Sequence, residues 1–334
     1  MTLNIDNIIK KITDTVKSHR LENEGEYTRW LWQNDAKNRK LGINEYGCSD
    51  AINILYTIGE FPDTEESRTA HIKTLQGLQN PDTGLFVEET HHVIHTTAHC
   101  TAALELFDAK PLYPLTGFKD YATSEGLEKL LDGLDWEGDP WDASHQGAGI
   151  YASMVLTDSV DKDWENTYFD WLWENADPET GFWRKGCVLS GDVPIFHHLA
   201  GTFHYMFNHE YAHKPYRYPE RIIDTCIRMY EENDLVDDFA HHMGFSEIDW
   251  VFCITRALRQ CGYRFDDCKK VLTRFAKDLV EYLDGIDEKT DDGFNDLHGL
   301  FGTVCCLAEL QQSVPGLIES KKPLKLVLDR RPFI

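Results

Sequence analysis

Apolar residues along this chain recur three and four positions apart, and strict alternation of apolar and polar positions is almost absent. The first spacing lines one face of an α-helix, whereas alternation would line one face of a strand. The pattern predicts twelve helices, at about 3–20, 46–58, 64–79, 92–108, 121–135, 141–158, 161–176, 196–211, 218–233, 245–262, 264–284 and 296–312. Pro219 sits in a first turn, where a helix tolerates it, and Gly59 and Gly262 stand just past the last periodic residues of two others. The chain is therefore expected to be all-α.

Every second helix ends in a related stretch: ILYTIG, ALELFD, SMVLTD, HYMFNH, RALRQC and CLAELQ, beginning at Ile54, Ala103, Ser153, His204, Arg256 and Cys306. The steps between them are 49, 50, 51, 52 and 50 residues. So constant a period marks an architecture built from one repeated supersecondary unit. Here the unit is a helical hairpin of about 50 residues, used six times. The alternate helices are rich in small residues, as in HQGAGIYASM and LFGTVCCLAEL, which suits helices crowded on both sides. Their partners, such as YPERIIDTCIRMYEEN, keep one charged face for water. Six inner and six outer helices closing into a ring make an α/α toroid, expected as one domain over 1–312. Residues 313–334 are expected as a strap over its outer surface.

Three turns from an outer helix to an inner one are alike: Gln79-Asn-Pro-Asp82-Thr-Gly84-Leu-Phe86, Asp177-Pro-Glu-Thr-Gly181-Phe-Trp183 and Asp291-Asp-Gly293-Phe294. With the hairpin period, these acidic-Gly-aromatic turns resemble those of the six-hairpin (α/α)6 toroid superfamily. That class holds glycosidases, polysaccharide lyases and sugar epimerases, with the terpenoid-cyclase and prenyltransferase toroids as its neighbours. The resemblance covers residues 3–312 and implies a fold class rather than one reaction. It also implies a site at the rim where the inner helices begin. Independently, the longer connections, 177–196 and 233–245, fall on that rim. Unpaired N–H groups and positive dipole ends converge there as well.

The same alignment brings one residue of each repeat to a common level: Tyr46, His95, His145, Phe196 with His197 and His198 beside it, Ile248 with Asp249, and His298. A neutral imidazole at such a rim can take a proton or bond a hydroxyl; the alternative is that these rings only fill a polar mouth. His95 and His99 are spaced i, i+4, as two rings sharing a metal would be. No HExxH accompanies them and no carboxylate is tied to them by spacing, so no metal or other cofactor is expected. Carboxylates at the rim are Asp142, Glu247, Asp249, Glu88 and Asp296; Asp142 or Ser144 could equally cap its helix. Trp141 and Trp183 offer faces for a sugar ring, although Phe86, Trp183 and Phe294 could instead be wedges packing their own turns. Arg184 is one of few basic residues near the mouth.

The expected catalytic residues are accordingly Asp142, His145, Glu247, Asp249 and His95. Substrate contacts are expected from Tyr46, Glu88, His92, Trp141, Trp183, Arg184, His198, Asp296 and His298. The leading expectation is a carbohydrate-active enzyme that cleaves a glycosidic bond of a neutral oligosaccharide or glycoside with a carboxyl pair. The first alternative is a β-eliminating lyase or sugar epimerase using His and Tyr46 as bases, with Arg184 neutralising charge. A terpenoid-cyclase-like enzyme and a non-catalytic ligand-binding ring are the others. A P-loop, a GxSxG motif and a GxGxxG motif are all missing.

Bulk properties narrow the partners. The 334 residues carry a formal charge of −24, which argues against nucleic acid and favours a neutral or cationic small molecule or oligosaccharide. Nine cysteines without a CxxC pair read as reduced thiols of a cytoplasmic protein, and no apolar run is long enough to span a membrane.

Overall fold

The computed structural model of the protein describes residues 2–334. All twelve expected helices form, each within about three residues of its expected bounds. They are α1 (Asp6–His19), α2 (Glu45–Thr57), α3 (Glu65–Gly77), α4 (Val93–Glu105), α5 (Ser124–Gly133), α6 (Pro140–Leu156), α7 (Lys162–Asn175), α8 (Ile195–Ala212), α9 (Pro219–Glu231), α10 (Ser246–Cys261), α11 (Phe265–Gly285) and, last, α13 (Leu297–Ser313). A single helical turn, α12 (Asp292–Asn295), leads into α13, and 3-10 turns lie at Thr116–Tyr121 and Val327–Asp329. The one sheet is a two-residue parallel pairing of β1 (Leu3–Asn4) with β2 (Ile318–Glu319). None of the described helices is long and apolar enough to cross a membrane.

Local chemistry explains the helix starts. Asn44, Thr64, Thr123, Asp139, Asp161 and Asp296 each accept a first-turn backbone N–H, which satisfies a donor that the helix itself cannot. The two helix classes read from composition are also distinct. In α2, α4, α6, α8 and α13 most residues are buried, while α5, α7 and α9 bury a single face.

The chain divides into two compact units. The first comprises 1–78, 237–251 and 269–327. Within it α2 packs on α13, and α1 lies against both. The second comprises 79–236, 252–268 and 328–334. Within it α6 packs between α4 and α8, and α5 packs on α7. Small residues permit the close approach: a Cβ on Gly201 of α8 would stand 2.9 Å from the carbonyl oxygen of Pro140 on α6.

Two of the related turns share one geometry. Asn80 accepts from the N–H groups of Asp82 and Thr83, and Gly84 N–H returns to the Asn80 carbonyl. Asp177 accepts from Glu179 and Thr180, and Gly181 N–H returns to the Asp177 carbonyl. The glycines have φ of +74° and +81°. The third turn differs, because Asp291 caps α12 and its glycine is helical. Phe86, Trp183 and Phe294 are buried, as wedges would be. Gly84→Ala should cost about 2 kcal/mol or more of unfolding free energy, because its Cβ would meet the Pro114 carbonyl oxygen in a backbone conformation that L-residues avoid. Gly77→Ala, with open space around its Cβ, should be neutral in the same denaturant titration.

Residues 328–334 belong to the second unit. Leu328, Arg331, Phe333 and Ile334 are buried within the second unit. There Asn208 donates to the Pro332 carbonyl, and the Phe333 ring stands 5.9 Å from that of Phe207. Arg256, also fully buried, binds Glu210 at 3.1 Å and pairs with Asp329. All nine cysteines are free thiols.

Candidate functional site

Each unit gathers some of the residues singled out in the sequence. In the first unit, Tyr46 on α2 and His298 on α13 meet edge to face, with ring centroids 4.6 Å apart. Asp50, one helical turn beyond Tyr46, lies 3.1 Å from His298 Nδ1 through one carboxylate oxygen and 3.3 Å through the other. A carboxylate can only accept from that nitrogen, so Nδ1 carries a proton, and in the neutral ring the lone pair lies on Nε2. Asp50 is fully buried and His298 is 6% exposed, so the pair lies at the margin of the interior.

Asp296 fixes where His298 begins. Its side chain caps α13 by accepting from His298 N–H at 3.0 Å and takes a two-point contact from Arg29 at 2.8 and 3.0 Å. Burial alone would raise its carboxyl pKa, yet the Arg29 guanidinium and its hydrogen bonds hold it below the usual carboxylate range. Arg29 also covers the Trp30 and Tyr46 rings, at 4.3 and 5.1 Å from their centroids. Phe245 closes the other side of His298, with centroids 4.5 Å apart.

Glu247 and Asp249 belong to the same unit but face inward. Glu247 accepts from Ala240 N–H at 3.0 Å and from Ser246 Oγ at 2.9 Å, and lies 3.2 Å from His242 Nδ1. Burial pushes its pKa up. Asp249 is fully buried, and neither of its oxygens has a hydrogen-bond partner. Burial, reinforced by the nearby Glu247, drives its pKa well above the normal carboxylate value, so it is held as the neutral acid.

The second unit holds a cluster of imidazoles. His95 on α4 and His145 on α6 have ring centroids 4.5 Å apart, and His204 on α8 lies 4.9 Å from His145. The shared level inferred for His95 and His145 is thus a contact, but α8 supplies His204 rather than Phe196. The reason is register: Gly201 abuts Pro140, and Ser144 Oγ lies 3.1 Å from His204 Nδ1. Aligning repeats by their helix ends assumes that successive buried helices share one register, and α6 and α8 do not.

Residues at the starts of α4 and α6 connect to that cluster. His91 stacks on His95 at 4.8 Å, and its Nδ1 lies 4.0 Å from buried Glu88, which accepts from Thr90 N–H. His92 caps α4 through Nδ1, and burial lowers its pKa despite Asp142 nearby. Asp139, not Asp142 or Ser144, caps α6. Asp142 instead pairs with His145 at 3.7 Å, and that imidazole holds its carboxyl below the usual range. Trp141 sets its ring 6.5 Å from that of His145 and 5.7 Å from that of Phe196.

Three candidates lie elsewhere. Trp183 is a buried wedge whose indole donates to the Leu172 carbonyl at 2.8 Å. Arg184 reaches Asp132 and Asn175 and stands over the Trp171 ring, using its charge on α5 and α7. His198 is buried, with Nδ1 3.3 Å from the Trp183 carbonyl. Arg331 lies 3.2 Å from His99 Nδ1, and the His95 and His99 ring centroids are 6.3 Å apart.

Sequence reasoning missed Asp50, Arg29 and His204. A signal existed for two of them. Asp50 is an acid inside EYGCSDAINILYT and His204 an imidazole inside LAGTFHYMF, each in a helix buried on all sides, where a polar side chain requires a partner. The chain was compared with protein-family models, with curated proteins and with solved structures, and none of the three comparisons returned a match.

Proposed function

We propose that the helical hairpins of this chain form an α/α toroid and that the protein is an enzyme moving protons on a carbohydrate-like small molecule, as a β-eliminating lyase or an epimerase does. The packing of α2 on α13, the first and last of the fully buried helices, supports the ring. The observation that carries the reaction class is the Asp50–His298–Tyr46 constellation. His298 Nε2 takes the proton from a carbon beside a carbonyl or carboxylate, and Asp50 sets the tautomer that makes this possible. Asp50 also offsets the positive charge that His298 gains. The Arg29–Asp296 pair positions His298 by fixing the first turn of α13.

This reading takes precedence over glycosidic cleavage because the expected carboxyls Glu247 and Asp249 are turned into the interior, while Asp142 is held ionised by His145. A glycosidase needs one accessible carboxyl kept protonated. The test uses deuterium. In D2O the protein should wash deuterium into the carbon next to the carboxylate or carbonyl of a member of a panel of uronates, aldonates and ketoses, read by NMR. His298→Ala should slow this by about 100-fold or more, and Glu247→Gln should leave it within a few-fold. Release of reducing sugar from glycosides without exchange, unaffected by His298→Ala, would return the assignment to glycosidic cleavage.

A further inference from the structure

We propose that His95, His145 and His204 form a binding site for a divalent transition-metal ion of the zinc type, independent of the His298 constellation. Three successive buried helices of the second unit, α4, α6 and α8, each contribute one imidazole, and one nitrogen from each ring lies within 4.8 Å of the other two. An ion bound to all three in tetrahedral geometry, at ~2.0–2.1 Å from each, needs those nitrogens about 3.3 Å apart. Small ring rotations close that gap.

The surroundings prepare the rings as ligands. His204 Nδ1 lies 2.9 Å from the Ala200 carbonyl oxygen, which can only accept. The ring therefore carries its proton on Nδ1 and keeps the Nε2 lone pair. Asp142 stands 3.7 Å from His145 Nδ1 and favours the same tautomer there. A backbone carbonyl behind one ligand and a carboxylate behind another is the arrangement that orients metal-binding imidazoles and raises their basicity. The Phe333 ring, 4.9 Å from that of His95 and 5.8 Å from that of His204, gives the site an apolar wall. His95 and His204 are 2% and 3% exposed, while the His145 side chain is 17% exposed, so access is from the His145 side. Three protein ligands with one side open fit an ion that keeps a position for water or substrate.

The full chain, stripped with a chelator and titrated with Zn2+ under a competing indicator, should bind one ion tightly. Co2+ in its place should give the visible absorption of a tetrahedral nitrogen-rich site. His204→Ala and His145→Gln should each weaken Zn2+ binding by on the order of 100-fold or more and abolish the Co2+ bands. His241→Ala, at an exposed histidine outside the cluster, should change neither. Circular dichroism checks folding; if His204→Ala does not fold, the partly exposed His145→Gln variant decides. Absence of tight binding by the wild-type chain, or binding unchanged in the folded variants, overturns the proposal. Loss of proton exchange in His298→Ala alongside unchanged Zn2+ binding separates this site from the proposed reaction.

Discussion

Asp50→Asn should lower kcat for the proton-transfer reaction by about two to four orders of magnitude while moving KM only a few-fold. The expectation follows from what an amide does to the tautomer. The Asp50 carboxylate accepts from His298 Nδ1 and so, in the neutral ring, places the lone pair on Nε2. An asparagine amide can donate to Nδ1 instead, moving the ring proton to Nε2, where it blocks the base. Asparagine nearly matches aspartate in shape, so the variant keeps the packing of α2, and near-equal melting temperatures would confirm that. A double variant gives the stronger test: Asp50→Asn combined with His298→Ala should be no slower than His298→Ala alone, because Asp50 acts through the ring it orients. Additive losses would mean that Asp50 contributes only through stability or through another partner.

The helices were legible because each depends on local information. A three-four apolar period, a cap and a stop are contained in a few consecutive residues, and α9 begins with Pro219 in its first turn, as the sequence indicates. The division into helices buried on every side and helices with one wet face could likewise be read from composition. Contacts between helices were legible only where the repeats keep one register. Tyr46 with His298 and His95 with His145 are such cases. The meeting of His145 with His204 depends on Gly201 sliding under Pro140, a fit between two surfaces that neither helix declares alone. The fate of Arg184 was hidden for a similar reason, since its position near a turn does not reveal that Asp132 and Trp171 wait on neighbouring helices. Burial depth was the other hidden quantity. Asp142 and Asp249 both stand early in a helix, α6 and α10, yet one carboxyl pairs with His145 and the other has no hydrogen-bond partner.

That second carboxyl sets the other large expectation, which concerns stability against pH. Asp249 has no hydrogen-bond partner and is fully buried, so its folded-state pKa lies well above the normal value. In the unfolded chain it ionises near the ordinary aspartate value of about 3.9. Between those two values the native protein holds a proton that the unfolded chain has released, and stability therefore falls as pH rises. The maximum slope for one such proton is about 1.4 kcal/mol per pH unit. Glu247, raised by burial, works in the same direction. Buried imidazoles oppose it: burial lowers His209 to about 4, so its native form stays neutral while the unfolded ring protonates, and stability rises with pH from about 4 to 6.5. A single wild-type curve would mix these slopes. The difference between Asp249→Asn and wild type, measured by denaturant unfolding at each pH, cancels the histidines and isolates the carboxyl. It should favour the variant increasingly from about pH 4 upward and level off only where native Asp249 itself ionises. By pH 8 the advantage should have grown by several kcal/mol over its value at pH 4, and by about 5 kcal/mol where native Asp249 stays protonated throughout. A difference that stays constant with pH would mean that ionised Asp249 finds a polar partner in the folded chain, and would restore it as a candidate for acid–base chemistry.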